Sequence, residues 1–527
     1  MLHAKRWLFL IHRWLGVLLC AFFAMWFISG VVMVYVGYPK LTPIERLAHL
    51  PPLRADAVVL QPADALQRAG LLGPLLDFRL AVASGGRAVY LAVAAPRKGI
   101  PADRPRRPPA ATVIDAATGA VLATVDAPHA IASAQAFALA APQPSASGGS
   151  EQRVAAVEYL GAVQEDAFTH SRALDAHRPL HRLRVDDAVG TVVYVSGTTG
   201  EVVRDATRSE RGWNYAGAWI HWLYPFRGNL FDRYWADIVN VLSIAGMVLT
   251  VTGTVVGVMR WRFSGRYKSG ARTPYRGFMM RWHHVFGLVF ALVTFTWIFS
   301  GLMSMNPWKL FDSGAVPLRT QAMNGGPLVL PTTAATVQAL LAAAPKNTRE
   351  LRWGHSVGHT IVQALGPTGT PVLLNATTAQ PHVFAPGVVQ QAAALLLPYP
   401  VVRTDTLRNY DLHYYDRAPH TMTGGGDKPL PVLRMVFEDP DATWVHVDPH
   451  TGAVLGRTDS HRRASRWLFA MLHSWDWLPL LERRPLWDIL LILLSLGGAV
   501  MSLTGVVVGW RRLGVKLQPS RTAMGTR

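Results

Sequence analysis

Four of the 19 histidines stand in or beside apolar runs at spacings that recur half a chain apart. His12 opens "HRWLGVLLCAFFAMWFISG" and His283 opens "HHVFGLVFALVTFTWIFSG". Laid over one another without a gap, His12, Gly16, Trp26, Ser29 and Gly30 fall on His283, Gly287, Trp297, Ser300 and Gly301. His221 and His473 each precede a further apolar run. From them Trp235, Ser243, Gly246, Thr252, Gly253 and Gly257 fall on Trp487, Ser495, Gly498, Thr504, Gly505 and Gly509, again without a gap. An ionisable side chain in lipid is costly and marks a functional position by default. Two neutral imidazoles facing each other at one depth, in an apolar and aromatic setting, are what a bis-histidine b-type haem requires. Interfacial anchoring, a proton relay or a metal site are the other uses such histidines have. His284 takes the place of Arg13 in the first copy and His3 has no counterpart, so neither joins the set.

The elements that must position these histidines follow from length and hydropathy. Half of the 527 residues are hydrophobic, 16% are charged and 18 are tryptophan, which suits a membrane protein with large aqueous domains. Four runs, residues 7–35, 235–260, 281–305 and 487–510, reach the roughly 20 residues a bilayer core needs. The net charge of +19 is concentrated beside them. Residues 260–281, "RWRFSGRYKSGARTPYRGFMMR", carry seven Arg/Lys and no acid, and Lys5, Arg6, Arg511, Arg512 and Lys516 flank the ends. Such clusters place both termini and the middle loop in the cytoplasm, and the N-terminal run reads as a retained signal anchor. No basic stripe with interleaved aromatics points to nucleic acid.

This reading divides the chain into a first span (1–39), an outer domain (40–212), a histidine-bearing segment with the second span (213–262) and a basic loop (263–280). A third span (281–305), a second outer domain (306–466), another histidine-bearing segment with the fourth span (467–512) and a tail (513–527) complete it. The expected fold is therefore four transmembrane helices in two parallel repeats, a helical bundle, with two α+β outer domains. The shared axis along the membrane normal makes His12 face His283 near the cytoplasm and His221 face His473 on the outer side. Arg13 lies at the cytoplasmic boundary, where it can meet a haem propionate. The glycines Gly16, Gly30, Gly253, Gly287, Gly301 and Gly505 leave room for a flat macrocycle or for close helix packing. Trp26, Trp297, Trp235 and Trp487 are candidates to pack against it.

Each outer domain carries strand–turn–strand signals. "ATVIDAATGAVLA", "TVVYVSGTTGEVV" and "TWVHVDPHTGAVL" put Gly119, Gly200 and Gly452 where a tight turn needs positive φ, and "PVLLNATTAQPHV" is a degenerate fourth copy. The stretches "RKGIPADRPRRPP" and "APQPSASGGS" are low-complexity loops. Other chemistry finds little support. The single cysteine, Cys20, excludes disulfides within the chain and multi-cysteine metal sites. "TGGGD" (423–427) lies in a polar loop that leads into no helix, a poor phosphate cradle. "HSVGH" sets His355 and His359 at i, i+4 on a possible helix face, and His170, His177 and His181 cluster in "THSRALDAHRPLH", weak metal signals without a third ligand.

The ordered set "HRWLG…WFISG", the Asp-x-x-Thr-Gly-x-Val hairpins, "HRPLHRLRVDD…VYVSGTTGEVVRDATR" and "RWLFAMLHSWDWLPLLERRPLWDI" resembles the PepSY-associated transmembrane family. The resemblance runs over nearly the whole chain. It implies four spans in a bacterial inner membrane, periplasmic PepSY-like domains, and two b haems per chain bound by His12, His221, His283 and His473. It further implies a ferric-siderophore reductase; with no nucleotide-binding module visible in the sequence, its electrons are expected from quinol or a separate reductase. The alternative from another class is a membrane-anchored PepSY protein that binds a peptide or peptidase partner without redox activity.

Overall fold

The structure is a computed structural model that describes residues 2–517, except 97–110, 141–155, 228–229, 332, 419, 422–423 and 426–427. Both low-complexity loops, and Thr423, Gly426 and Asp427 of the glycine run, lie outside the described residues. Among the described residues three helices are long and apolar enough to cross a membrane: Leu2–Tyr35, Trp235–Arg260 and Leu486–Leu517. A fourth span is made by the pair Phe278–Val289 and Ala291–Ser304, if that pair, bent by 66°, is counted as one. The run 281–305, expected as one straight helix, is broken at Phe290, whose backbone (φ −100°, ψ 6°) leaves the helical region. The Phe290 ring packs against the last span at this break. It lies where a Cβ on Gly497 would fall, 2.0 Å from its Cζ, so it wedges against the last span only because that residue is glycine. The first span packs along both Trp235–Arg260 and Leu486–Leu517. Within the bent pair, Phe278–Val289 packs on the last span and Ala291–Ser304 on the second. Leu19, Phe23, Phe27, Leu249, Ile298 and Ala499 form the bundle core.

Outside the bundle, the first segment supplies β1 (Leu75–Ser84), β2 (Arg87–Ala94), β3 (Thr112–Asp115), β4 (Val157–Val163), β5 (Leu180–Val185), β6 (Val192–Ser196) and β7 (Val202–Ala206). The second supplies β8 (Glu350–Ser356), β9 (His359–Leu365), β10 (Val372–Asn375), β11 (Val401–Leu407) and the short β12 (Asp416–Arg417) and β13 (Gly424–Gly425). It ends with β14 (Val432–Phe437), β15 (Trp444–Val447) and β16 (Val454–Thr458). The division at 40–212 and 306–466 is finer than two separate modules. Each segment keeps its own antiparallel four-stranded sheet, β4-β5-β6-β7 and β11-β14-β15-β16, and gives three strands to one shared six-stranded sheet, β10-β9-β8-β1-β2-β3. The join is β1 against β8, with Phe78 opposite Trp353 and Leu80 opposite Leu351. Pairing these strands removes two exposed edges at once and buries Phe78, Tyr90, Leu80, Leu351 and Trp353 in a single core.

The turn glycines behave as their sequences predict. Gly119, Gly200 and Gly452 have φ of 79°, 70° and 70°. A Cβ on Gly200 would sit 2.3 Å from Ser84 Oγ, and one on Gly452 2.3 Å from Ser356 Oγ. The tips of the β6–β7 and β15–β16 hairpins therefore press on the shared sheet. In the degenerate copy Ala379 holds the left-handed conformation (φ 57°) without a glycine's freedom. There, and in the Gly119 copy, the return arm makes only a single bridge, Leu374–Pro381 and Ile114–Val121.

Candidate functional site: two facing histidine pairs

The bundle brings the four histidines together two by two. His12 and His283 face one another with ring centres 6.3 Å apart and planes at 33°. His221 and His473 do so at 6.1 Å and 74°. A metal–imidazole nitrogen bond of about 2.0 Å, with the ring centre about 1.1 Å beyond the nitrogen, puts two rings sharing one metal ion about 6.2 Å apart.

How each ring is held decides which nitrogen is offered. His12 donates from Nδ1 to the Leu249 carbonyl (3.3 Å) and His283 donates from Nδ1 to the Met501 carbonyl (3.1 Å), with Thr504 Oγ1 at 3.3 Å. At the pair nearer the sheets the acceptors are serines. Ser29 gives its hydroxyl proton to the Met25 carbonyl (2.6 Å), so at the 3.0 Å contact with Ser29 Oγ it is His221 Nδ1 that donates. Ser300 likewise donates to the Trp297 carbonyl and receives His473 Nδ1 at 3.0 Å, the same imidazole also reaching the Trp297 carbonyl at 3.2 Å. A proton fixed on Nδ1 leaves Nε2 as the basic nitrogen, the tautomer a metal-binding imidazole needs. Among the described residues none hydrogen-bonds to Nε2 of any of the four.

Each ring also rests on a helix glycine. A Cβ would meet Cε1 of His12 at 2.5 Å from Gly253, of His283 at 3.1 Å from Gly505, of His221 at 3.6 Å from Gly30 and of His473 at 3.7 Å from Gly301. Four of the six small residues singled out in the sequence thus seat imidazoles. Gly287, one turn beyond His283, faces open space, and Gly16 meets only Leu249 and Cys20 at ordinary contact distance. The outer histidines arrive on matched devices. A helix begins at Arg208 behind a Thr207–Glu210 capping box, widens into a π-turn over Tyr215–Trp219 and reaches His221. Another begins at Ser460 behind Asp459, widens over Arg466–Met471 and reaches His473. Such widened turns recur at functional sites. The loops that follow are tied down by Trp235, whose Nε1 donates to the Trp222 carbonyl (2.8 Å), and by the buried Trp487, whose Nε1 donates to the Ser474 and Trp475 carbonyls. Trp26 Nε1 donates to the His221 carbonyl (3.0 Å), and Trp297 stands 5.8 Å from Phe27.

The other histidines are placed differently. His284 is buried with both nitrogens engaged, by Thr273 Oγ1 (2.7 Å) and the Gly257 carbonyl (2.8 Å), and ties the basic loop to the second span. His170 meets Glu165, His177 meets Ser196, and His181 bridges Tyr159 and the Val125 carbonyl, so this group does not converge. "HSVGH" is no helix face. It is the tight turn between β8 and β9, with Val357 and Gly358 at positive φ, and His355 and His359 stand on opposite strands. At the outer end of the first span, Gly37 N–H donates to the His420 carbonyl (2.6 Å) and His420 Nε2 pairs with Glu45 (2.5 Å). Burial opposes the Glu45 charge, but hydrogen bonds from His420 and Thr42 bring its carboxyl down to about 2. Asp205 nearby is pushed up to about 7 by burial and by the Glu45 and Glu210 charges.

The sequence pointed to the four histidines through their register, and that register held the serines too, without showing that they are hydrogen-bond acceptors. The carbonyls of Leu249 and Met501 carry no side-chain signal at all. Comparison with curated proteins returns no match. The family model of the PepSY-associated TM region matches residues 9–423, a stretch that holds His12, His221 and His283 and ends before His473. The chain is a membrane protein of the PepSY-associated TM region family.

Proposed function

We propose that this chain is a di-haem b reductase of a bacterial inner membrane that delivers electrons to ferric iron held by a siderophore in the periplasm. What carries the reading is the double pair of imidazoles, each with Nδ1 anchored and Nε2 without a hydrogen bond among the described residues, at the ring spacing of a shared metal ion. Bound haem would supply one-electron chemistry at each pair, so that reducing equivalents from quinol or a separate reductase become ferrous iron outside, which oxygen-donor chelators hold less tightly. The residues fit such a group beyond the ligands. Gly287 leaves a space that a Cβ would fill, and the Nε of Arg13, next to His12, is buried with no hydrogen-bond partner, as a cation awaiting a propionate would be. His12 and His283 would hold the inner haem, and His221 and His473 the outer. Ser29, Ser300 and the Leu249 and Met501 carbonyls fix their rings in the binding orientation. The basic loop and both ends would face the cytoplasm and the sheets the periplasm.

The test is the optical spectrum of detergent-purified protein, oxidised and then reduced with dithionite, with haem counted per chain. The expected result is two low-spin b haems, one lost in His12→Ala and the other in His473→Ala. Reoxidation of the reduced bands by a ferric siderophore would follow. A colourless protein from haem-replete cells refutes the reading and leaves the outer sheets as binding surfaces for a peptide or partner.

A further inference from the structure

Seven residues before each of His221 and His473 stands a polar side chain with at least one buried atom that has no partner. Asn214 precedes His221, is fully buried, and has no hydrogen-bond partner for either Nδ2 or Oδ1. Arg466 precedes His473 by the same interval. It donates from Nε to the Leu412 carbonyl and turns Nη1 toward Asp476 at 3.5 Å, while its Nη2 is buried and unpartnered. Arg417 reaches the same Asp476 Oδ2 at 2.6 and 3.0 Å, so two guanidinium groups share that one oxygen, while Asp476 Oδ1 is buried and unpartnered. A third donor, Trp297 Nε1, beside His473, is buried and unpartnered as well. Buried polar groups in folded proteins are nearly always paired, and those that are not call for a missing group.

The placement says which group. Both segments run from the sheets toward the bundle, and each passes through a π-turn on its way to the histidine, over Tyr215–Trp219 and Arg466–Met471. Asn214 and Arg466 thus hold the same sequence offset from the two histidines, on matched segments that bring His221 and His473 together. The unpaired atoms are mostly N–H donors and one carries positive charge, so the matching chemistry is a pair of anionic oxygens. Their complete burial suits a resident group better than a substrate that must enter and leave. We infer that Asn214 and Arg466 receive the two carboxylates of the outer haem and fix which edge of the macrocycle faces the periplasm. This rests on the haem reading above.

The experiment compares the full-length protein with Asn214→Leu, Arg466→Gln and Arg466→Lys, purified with and without haem supply. Haem content is read per site from the reduced spectrum, the outer-haem potential by redox titration, and the stability of the haem-free protein by thermal unfolding. Asn214→Leu should leave the haem-free protein as stable or more so, and should lower outer-haem occupancy at least twofold with the inner haem unchanged. Arg466→Gln should lower both the occupancy and the potential of the outer haem, and Arg466→Lys should restore part of each. If Asn214→Leu weakens the haem-free protein and leaves haem content intact, the amide is structural and the inference fails. It also fails if haem content stands while the KM for a ferric chelate rises, because the anion is then the substrate's. A wild-type protein without haem marks failure of the underlying reading instead, since the variants would then have no spectrum to compare.

Discussion

Alanine at Gly253 tests the inner pair with the smallest possible change. The new Cβ would lie 2.5 Å from Cε1 and 2.8 Å from Nδ1 of His12. An ordinary carbon contact is about 3.5 Å or more, so the imidazole must withdraw by about 1 Å. Overpacking of this kind costs about 1–3 kcal/mol. The 3.3 Å bond from Nδ1 to the Leu249 carbonyl cannot survive the shift, and its loss adds about 1 kcal/mol. A total of about 2–4 kcal/mol lowers the fraction of chains with a seated His12 by about 30- to 1,000-fold. At Gly30 the same substitution meets His221 Cε1 at 3.6 Å, an ordinary contact, and alanine is the better helix former by about 1 kcal/mol. On the proposed di-haem reading, Gly253→Ala should therefore lose one of two haems and Gly30→Ala should keep both; Gly505→Ala should also disturb its site, since its Cβ would meet Cys20 Sγ at 2.6 Å as well as His283 Cε1 at 3.1 Å. Haem per chain, measured on detergent-purified variants of equal yield, decides it. Full haem in Gly253→Ala, or equal loss in Gly30→Ala, would refute the seating argument.

Three more outcomes follow from the outer sheets. Asp205 titrates near 7 in the folded protein against 3.8 without its surroundings; a carboxyl raised in this way binds its proton more tightly when folded, so its contribution is present at low pH and lost as pH rises from about 4 through 7. Asp205→Asn should flatten the decline in thermal stability between pH 4 and 7, and at pH 8 should stabilise by on the order of 3 kcal/mol; an unchanged pH slope contradicts this. Glu350, almost fully buried, binds Arg46 at 2.6 Å and lies 3.4 Å from Arg79, which also holds the buried Glu201 at 2.8 Å. Glu350→Gln leaves these cations under-paired and should cost about 3 kcal/mol in urea unfolding, and a loss under 1 kcal/mol would show that water compensates. Ala379→Gly relieves a left-handed alanine and should stabilise by about 1 kcal/mol, whereas Gly119→Ala, in the matching turn, should destabilise by at least as much.

What could be read from the sequence was what repeats locally. Span lengths, the turn glycines and the histidine register each depend on neighbours within a few residues or on an internal copy. The bend at Phe290 was not legible, because the matched position in the first copy is Leu19 and the wedge depends on Gly497 in a distant helix. Nor was the shared sheet. The pattern of β1 shows that it is a strand, but its choice of β8 as neighbour rests on two edges meeting across some 270 residues. "HSVGH" was misread as helical spacing because i, i+4 also describes the two arms of a tight hairpin. Asn214 escaped notice since a single asparagine in a polar segment has no sequence signal. Only its offset from His221, repeated by Arg466 and His473, could have drawn attention to it.

The β1–β8 join has a consequence for the chain as a connected object. The halves are held together outside the membrane by main-chain hydrogen bonds and inside it by helix packing, while the only covalent link between them is the basic loop at residues 263–280. That link contributes effective concentration rather than contacts. Two fragments divided there and made in the same cell would each carry an open strand edge and one histidine of each pair. Each would be a lock without its key, and the complex that re-forms between them would be the smallest unit able to complete either site.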